Sequence, residues 1–356
     1  MVTAGGVYEY AQVNARVRAI YSTLLAPLMW SELIGAPDYR FLMSLLRPTD
    51  YGPYLLQVDE KDLTPRRAVY QINKQMADIY ATVLRVAPEP TCPLLVQYYR
   101  SFEVDNLKAL LRGILTGGTW DQLRYFLFPL GPKTVLPSQT MVQSSSVSAA
   151  VELLRGTPYY VTLSHAMRRY SAEQSLFPLE VALDLNYWRT IWNGINQLPD
   201  RDRSQALQIV GSLLDVNNLM RAIRYRVYYN LSEEEIINYT LPFGYQVRDA
   251  DIRAIAAGAD IPPVVERIFP SLTDVYSLLL EPRKGLPELE MRLQRIVREH
   301  CKKAFLGYPF HIGVPLGYLV LKKMEIQDLI VLIEAKSSGL PVEEFRPYLV
   351  SSEPPK

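Results

Sequence analysis

Cysteine, histidine and net charge are what this sequence has least of. Two cysteines, Cys92 and Cys301, in 356 residues argue against a disulfide framework and fit a reducing compartment. Of the three histidines, His165, His300 and His311, no two stand at the helical spacing of a zinc protease. Glu299-His300-Cys301 strings metal-capable atoms together, but consecutive residues point to different helix faces, which favours packing over ligation. There is no phosphate loop and no Gly-rich dinucleotide turn. The 38 basic and 37 acidic residues leave a net charge of +1. That balance is also local, with 13 basic against 12 acidic up to Leu130, 10 against 10 to Tyr245 and 15 against 15 beyond. No part carries the basic excess of a nucleic-acid binder. Long apolar runs are missing too. The best, Gly307 to Leu321, contains His311 and two prolines and ends at Lys322-Lys323, short of the roughly 20 residues of a membrane span. With no charged-then-apolar leader, the chain is expected to be soluble and cytoplasmic.

What is present is a triplicated motif. Glu103-Val104-Asp105-Asn106-Leu107, Asp215-Val216-Asn217-Asn218-Leu219 and Glu325-Ile326-Gln327-Asp328-Leu329 share acid, β-branched residue, any residue, Asn or Asp, and Leu. An aliphatic residue follows four positions on, and the next residue is Arg112, Arg224 and Glu334 in turn. The acids stand 112 and 110 residues apart. After the motif, Phe128-Pro129-Leu130-Gly131 matches Leu241-Pro242-Phe243-Gly244. Before it, Thr49-Asp50-Tyr51 matches Thr157-Pro158-Tyr159, 108 residues later, and Thr273-Asp274-Val275-Tyr276 is a weaker third counterpart. The repeat is too long for a solenoid, whose units run to ~20–50 residues, and near domain size. The expectation is three helical repeat domains, residues 1–130, 131–245 and 246–356.

Helical periodicity dominates and no alternating strand appears, so the fold class is all-α. Val69, Ile72, Met76, Ile79, Tyr80 and Val83 form a stripe. It starts after Thr64-Pro65, a cap and first-turn signal, and stops at the prolines around Glu89. The first motif helix is expected from Cys92-Pro93 to about Leu115, the second from about Ser204 to Tyr229, and the third to end near Ser338-Gly339. Long helices are expected to open at Pro178-Leu179-Glu180 and Leu286-Pro287-Glu288, with Glu180 and Glu290 in matching places. Gly131 to Ser146, rich in Pro, Ser, Thr and Gly, reads as a linker. Asp200-Arg201-Asp202 reads as a turn.

Within each motif the acid and the amide position lie three apart on one helix face. Asn is a weak helix former whose amide competes for backbone groups, so its recurrence points to tertiary contacts. Either it satisfies backbone or a neighbouring copy's side chain, or it lines a surface that meets a partner. The candidate motif and interface residues are therefore Glu103, Asn106, Arg112, Asp215, Asn218, Arg224, Glu325 and Asp328, with Thr49, Tyr51, Thr157 and Tyr159 from the second signal. Glu180 and Asp184, four apart, share a face and could serve a divalent metal in an all-helical enzyme, but aspartate-rich motifs are absent and pairing with basic neighbours is favoured. Arg292, Arg295, Lys302 and Lys303 make one helix basic, with Glu288, Glu290 and Glu299 among them to balance it.

Taken together, these residues resemble the C subunit of the archaeal and bacterial V/A-type rotary ATPases, the homologue of the eukaryotic d subunit. The similarity lies in Asn14-Ala15-Arg16-Val17-Arg18, in Thr49-x-Tyr51, in the three motifs, and in the run from Pro309-Phe310 through Tyr318-Leu319, Lys322 and Glu325 to Lys336 and Gly339. One departure is Asp328-Leu329-Ile330, where the family's last copy usually reads Asn-Leu-Arg. The resemblance implies three similar helical domains in a pseudo-threefold funnel, one copy per complex, with no catalytic role, cofactor or metal. It implies a rotor part between the central shaft, subunits D and F, and the membrane proteolipid ring, peripheral to the membrane on its cytoplasmic side, with no nucleic acid or small-molecule substrate. A helical scaffold of another complex is the alternative.

Overall fold

The computed structural model describes residues 4–131 and 134–350. All regular elements among them are helices, as the periodicity predicts. The chain forms two compact units. The larger comprises Met1–Gly52, Arg85–Thr91 and Ile195–Lys356; the smaller comprises Pro53–Leu84 and Cys92–Gly194.

The larger unit begins with α1 (Ala4–Tyr21), α2 (Pro27–Gly35) and α3 (Tyr39–Leu46), and α4 (Gly52–Leu55) leads out of it. The smaller unit is built on α5 (Pro65–Val86) and α6 (Cys92–Leu115), followed by α7 (Trp120–Leu123), α8 (Ser138–Val142), α9 (Val147–Glu152), α10 (Tyr160–Glu173) and α11 (Phe177–Asn196). The chain then returns to the larger unit with α12 (Asp200–Ala206), α13 (Ser212–Val227), α14 (Glu233–Asn238), α15 (Asp249–Ala256), α16 (Ile261–Ile268) and α17 (Val275–Leu280). It closes with α18 (Pro282–Lys303), α19 (Gly313–Ser337) and α20 (Val342–Phe345).

Helix α5 starts where its cap signals place it. The Thr64 hydroxyl accepts from the Arg67 amide at 3.4 Å, and Pro65 needs no amide partner in the first turn. Its stripe of Ile72, Met76, Tyr80 and Val83 is buried. Tyr80 meets Tyr99 of α6 at a centroid distance of 4.5 Å and Phe102 edge-on at 5.8 Å. Phe102 in turn stacks on Phe128 at 3.9 Å. This aromatic chain fixes the rotation of α6.

Three sequence expectations shift. Of the expected linker Gly131 to Ser146, residues 132 and 133 lie outside the described residues, and the part from Val135 on is packed: Leu136 and Met141 are buried in one cluster with Leu107, Leu110 and Leu111, and α8 packs on α6. Polar composition hid two core side chains in a short stretch. The second motif helix begins at Asp200, before the expected Ser204, and passes through a π-helical turn over Leu207–Gly211 before α13. Helix α18 opens at Pro282, not Leu286, and carries Pro287 inside it. A proline suits the first position, and the second sits early enough to cost one backbone bond.

The packing has an offset that the three-repeat sequence pattern does not display. Helix α6 packs on α8 and α9, α13 packs on α15 and α18, and α19 packs on α1 and α3 as well as on α18. Each motif helix thus lies against the opening helices of the following copy, and the last lies against those of the first.

Candidate functional site

Each motif helix carries a bracket of two buried polar side chains, one turn apart, that hold non-helical chain. In the first, Glu103 is 4% exposed. Its Oε1 accepts from the Thr134 hydroxyl at 2.8 Å and the Val135 amide at 2.7 Å, and its Oε2 from the Tyr159 hydroxyl at 2.6 Å. Asn106 donates Nδ2 to the Phe128 carbonyl at 2.8 Å and accepts the Phe128 amide on Oδ1 at 2.6 Å. A carboxamide can satisfy both polar groups of a single residue, donating from nitrogen and accepting on oxygen.

The second bracket repeats this with a shorter acid. Asn218 holds both the amide and the carbonyl of Leu241, each at 2.8 Å. Asp215 accepts from the Tyr245 amide at 2.8 Å and the Gln246 amide at 2.6 Å. Burial pushes its carboxyl up to about 6, against the backbone amides that favour the anion. Gly244 is required here: a Cβ would lie 2.3 Å from Asp215 Oδ1 and 2.5 Å from the Val247 carbonyl oxygen. Gly211, in the π turn, admits Tyr245, whose Cβ would stand 2.9 Å from an added methyl.

The third bracket is closed from the other end of the chain. Glu325 Oε2 accepts from the Leu25 amide at 2.7 Å, and Oε1 from the Tyr51 hydroxyl at 2.7 Å and Lys322 Nζ at 2.8 Å. Lys322 is 1% exposed and also lies over the Tyr51 ring, 4.2 Å from its centroid. Leu25 precedes Tyr51 by 26 residues, and Val135 precedes Tyr159 by 24. The first copy therefore gives Glu325 the two donors, amide and phenol, that the second copy gives Glu103. Asp328 accepts the Val350 amide at 2.8 Å. Lacking an N–H, it cannot serve the Val350 carbonyl, which instead accepts from Arg298 at 3.4 Å. The held residue lies 22, 23 and 22 positions after the amide or acid that holds it.

The remaining candidates fall into place around the brackets. Thr49 and Thr157 form matching turns: each hydroxyl donates to the carbonyl three residues back, at 2.6 and 2.7 Å, and accepts the tyrosine amide at 3.3 Å. Both phenols are held protonated well above the ordinary tyrosine range by burial and by the carboxylates they face. The third counterpart does not join its bracket. Tyr276 is 69% exposed, and Asp215 is held by backbone instead. Arg112 pairs with Glu180 at 2.6 Å and Arg224 with Glu290 at 2.5 Å, so both motif arginines reach the matching acid of the next copy's long helix. Asp184 pairs with Lys108, which leaves the Glu180 and Asp184 face balanced in charge.

Two roles were invisible in the sequence. Asp202, read as part of a turn, is 4% exposed and accepts from the Tyr10 hydroxyl at 2.9 Å and the Ile312 amide at 2.8 Å. Nothing in Asp-Arg-Asp distinguishes a buried acid from a solvated one. Lys322, next to Lys323, likewise looks like the charged end of an apolar run. His300 contacts the Ser212 hydroxyl and the Gln208 carbonyl, and burial lowers its pKa. Glu299 pairs outward with Lys302 and Cys301 is buried, so the three side chains do go separate ways.

Chemically, the brackets are saturated acids and amides with no reacting atom exposed. They join copies. Residues 13–348 match the family model described as ATP synthase (C/AC39) subunit. The chain belongs to the C/AC39 family of V/A-type rotary ATPases. Its relatives include the C subunit of the A-type ATP synthase of Methanocaldococcus jannaschii, 27% identical with 96% of this chain and 86% of that protein covered. That of Methanobrevibacter smithii is 26% identical with 97% and 88% covered, and that of Archaeoglobus fulgidus is 23% identical with 98% of each covered. For this member of the C/AC39 family, the match spans all three motifs, the Thr-x-Tyr segments and, in the third bracket, Leu25, Tyr51, Lys322 and Glu325. Among the described residues no helix is long and apolar enough to cross a membrane.

Proposed function

We propose that this chain is a non-catalytic central-rotor subunit of a V/A-type ATPase or synthase, seated between the shaft subunits D and F and the membrane proteolipid ring. It passes torque between them during ATP-linked proton or sodium transport. The observation that carries this reading is the family match over residues 13–348, with relatives aligned along nearly their whole lengths. The brackets support it. Three domains, near residues 1–130, 131–245 and 246–356, in which each motif helix is completed by the next copy and the last by the first, can close into a funnel. Such closure suits a part that carries load, because every junction is tied by buried, charge-assisted hydrogen bonds. The near-zero charge of each copy fits docking on protein more than attraction to anionic lipid, which takes clustered Lys and Arg.

The test is co-purification. A tagged full-length chain should bring down the shaft subunits and, in mild detergent, the proteolipid ring, while protein-free liposomes leave it in solution. Removing the chain from Gln246 onward should abolish ring attachment. Capture of neither shaft nor ring, together with binding to bare liposomes, would overturn the rotor reading in favour of a scaffold of another kind.

A further inference from the structure

The smaller unit carries a surface that none of the brackets uses. Arg66 and Arg67 lie in the first turn of α5, and Arg124, Tyr125 and Phe126 follow α7. The Arg66 guanidinium stands 3.5 Å from the centroid of the Phe126 ring. Those of Arg67 and Arg124 stand 5.4 and 4.8 Å from the Tyr125 centroid, and Tyr70 meets that ring edge-on at 5.4 Å. The cluster faces water: Phe126 is 54% exposed and Arg66 is exposed. Arg66 has no hydrogen bond or ion pair among the described residues. Arg67 gives one nitrogen to the Asp62 carbonyl at 3.2 Å, and its other two reach solvent, since neither is buried without a partner. Only Arg124 has a carboxylate, Asp121 at 3.6 Å. Two guanidiniums are thus held against rings with donors left over. Their placement also runs against the helix, because the positive end of its dipole disfavours cations in the first turn. The cluster belongs to one copy. Where the first has Arg124, Tyr125 and Phe126 after Thr119–Leu123, the second has Ile237, Asn238 and Tyr239 after Ser232–Ile236, and the third has Arg346, Pro347 and Tyr348 after Pro341–Phe345.

We propose that this face docks an acidic segment of a partner protein, whose carboxylates meet Arg66 and Arg67. A guanidinium fork matches a carboxylate with two parallel bonds, and the rings hold both forks in place. Arginine and aromatic residues are also what the centres of protein interfaces are enriched in. Single-stranded nucleic acid stacks on such rings too, but along a groove of continuous positive charge. Here Asp62 and Asp121 lie in the same two segments, and the charges of this copy balance. Because one copy alone carries the face, it takes one such segment per chain and fixes which copy the partner meets. The proposal goes beyond the rotor reading and holds for the isolated chain.

Dye-labelled hexaglutamate, with hexaglutamine as the uncharged control, tests this on the full-length protein by fluorescence anisotropy at low salt. Hexaglutamate is expected to bind saturably and hexaglutamine not to bind. Arg66→Gln combined with Arg67→Gln should weaken hexaglutamate binding at least roughly tenfold, the loss of about one good charge contact. Arg66→Gln alone, at an exposed position, keeps the test valid if the double variant folds poorly. Arg155→Gln should leave the affinity unchanged, because that arginine lies over Tyr160 but is paired with Glu152. No saturable hexaglutamate binding, unchanged affinity without Arg66 and Arg67, or an equal loss in Arg155→Gln would overturn the proposal. So would binding of oligo-dT or of phosphatidylglycerol vesicles at equal strength and with the same dependence on Arg66 and Arg67, which would assign the face to phosphate.

Discussion

Glu103 accepts its bonds from Val135 and Tyr159, which the chain reaches 32 and 56 positions later. Glu325 accepts from Leu25 and Tyr51, 300 and 274 positions earlier. The chemistry is shared, an amide on one oxygen and a phenol on the carboxylate, but the connectivity is not. Closing a loop of 300 residues in place of 32 costs about 2 kcal/mol more in chain entropy. The third bracket has something the first lacks: a fully buried lysine on the acid and over the phenol ring. At the same offset from the acid, three residues before it, the other copies carry Arg100 and Ser212. The first and third copies keep an amide and a phenol on the acid and differ in the cation beside it.

The largest expected effect falls on that lysine. Lys322→Met leaves the Glu325 carboxylate buried without its cation and should cost about 3–5 kcal/mol in urea denaturation. A loss below ~1 kcal/mol would mean that the phenol and amide donors suffice without a cation. Next come the amides. Asn106→Leu or Asn218→Leu orphans a buried N–H and a buried C=O, for about 3 kcal/mol in total at roughly 1–3 each. Asp328→Asn should stay within about 1 kcal/mol of wild type, because Arg298 already serves the Val350 carbonyl.

Much of this was legible in the sequence, for identifiable reasons. Helical stripes, the Thr64-Pro65 start and the prolines around Glu89 fixed the long helices because apolar period and caps are local signals. The acid and amide of each motif stood out because Asn is unusual in mid-helix, and Leu-Pro-Phe-Gly was visible as the segment now seen held by Asn218. Which copy each bracket holds was not legible. Nothing local in Leu25 or Tyr51 points to Glu325, and an acid's partners depend on tertiary contacts. Asp202 and Lys322 were hidden for the same reason, as charged residues in charged company.

Asp215 makes the second bracket sensitive to pH. It has no phenol partner, and its folded pKa of about 6 lies above the ordinary value of 3.8. A raised acid pKa means that the folded state takes the proton first. The contribution to stability therefore grows as pH falls from about 6 to about 4, by up to ~3 kcal/mol, and is absent at higher pH. Carboxyl NMR should give a midpoint near 6. One below the usual aspartate range would show that the Tyr245 and Gln246 amides outweigh burial. Smaller still are the outer ion pairs. Arg112→Ala and Arg224→Ala remove contacts to Glu180 and Glu290 that are partly exposed, and each should cost ~1 kcal/mol or less.

The central claim is that the first copy completes the third. A double-mutant cycle between Tyr51→Phe and Glu325→Gln measures it directly, with Tyr51→Phe and Glu103→Gln as the control pair. Coupling of about 1.5–3 kcal/mol is expected between Tyr51 and Glu325, the scale of a hydrogen bond to a charged group. Additivity within ~0.5 kcal/mol is expected between Tyr51 and Glu103. Additivity for the first pair, or coupling of Tyr51 to Glu103 in its place, would contradict the claim.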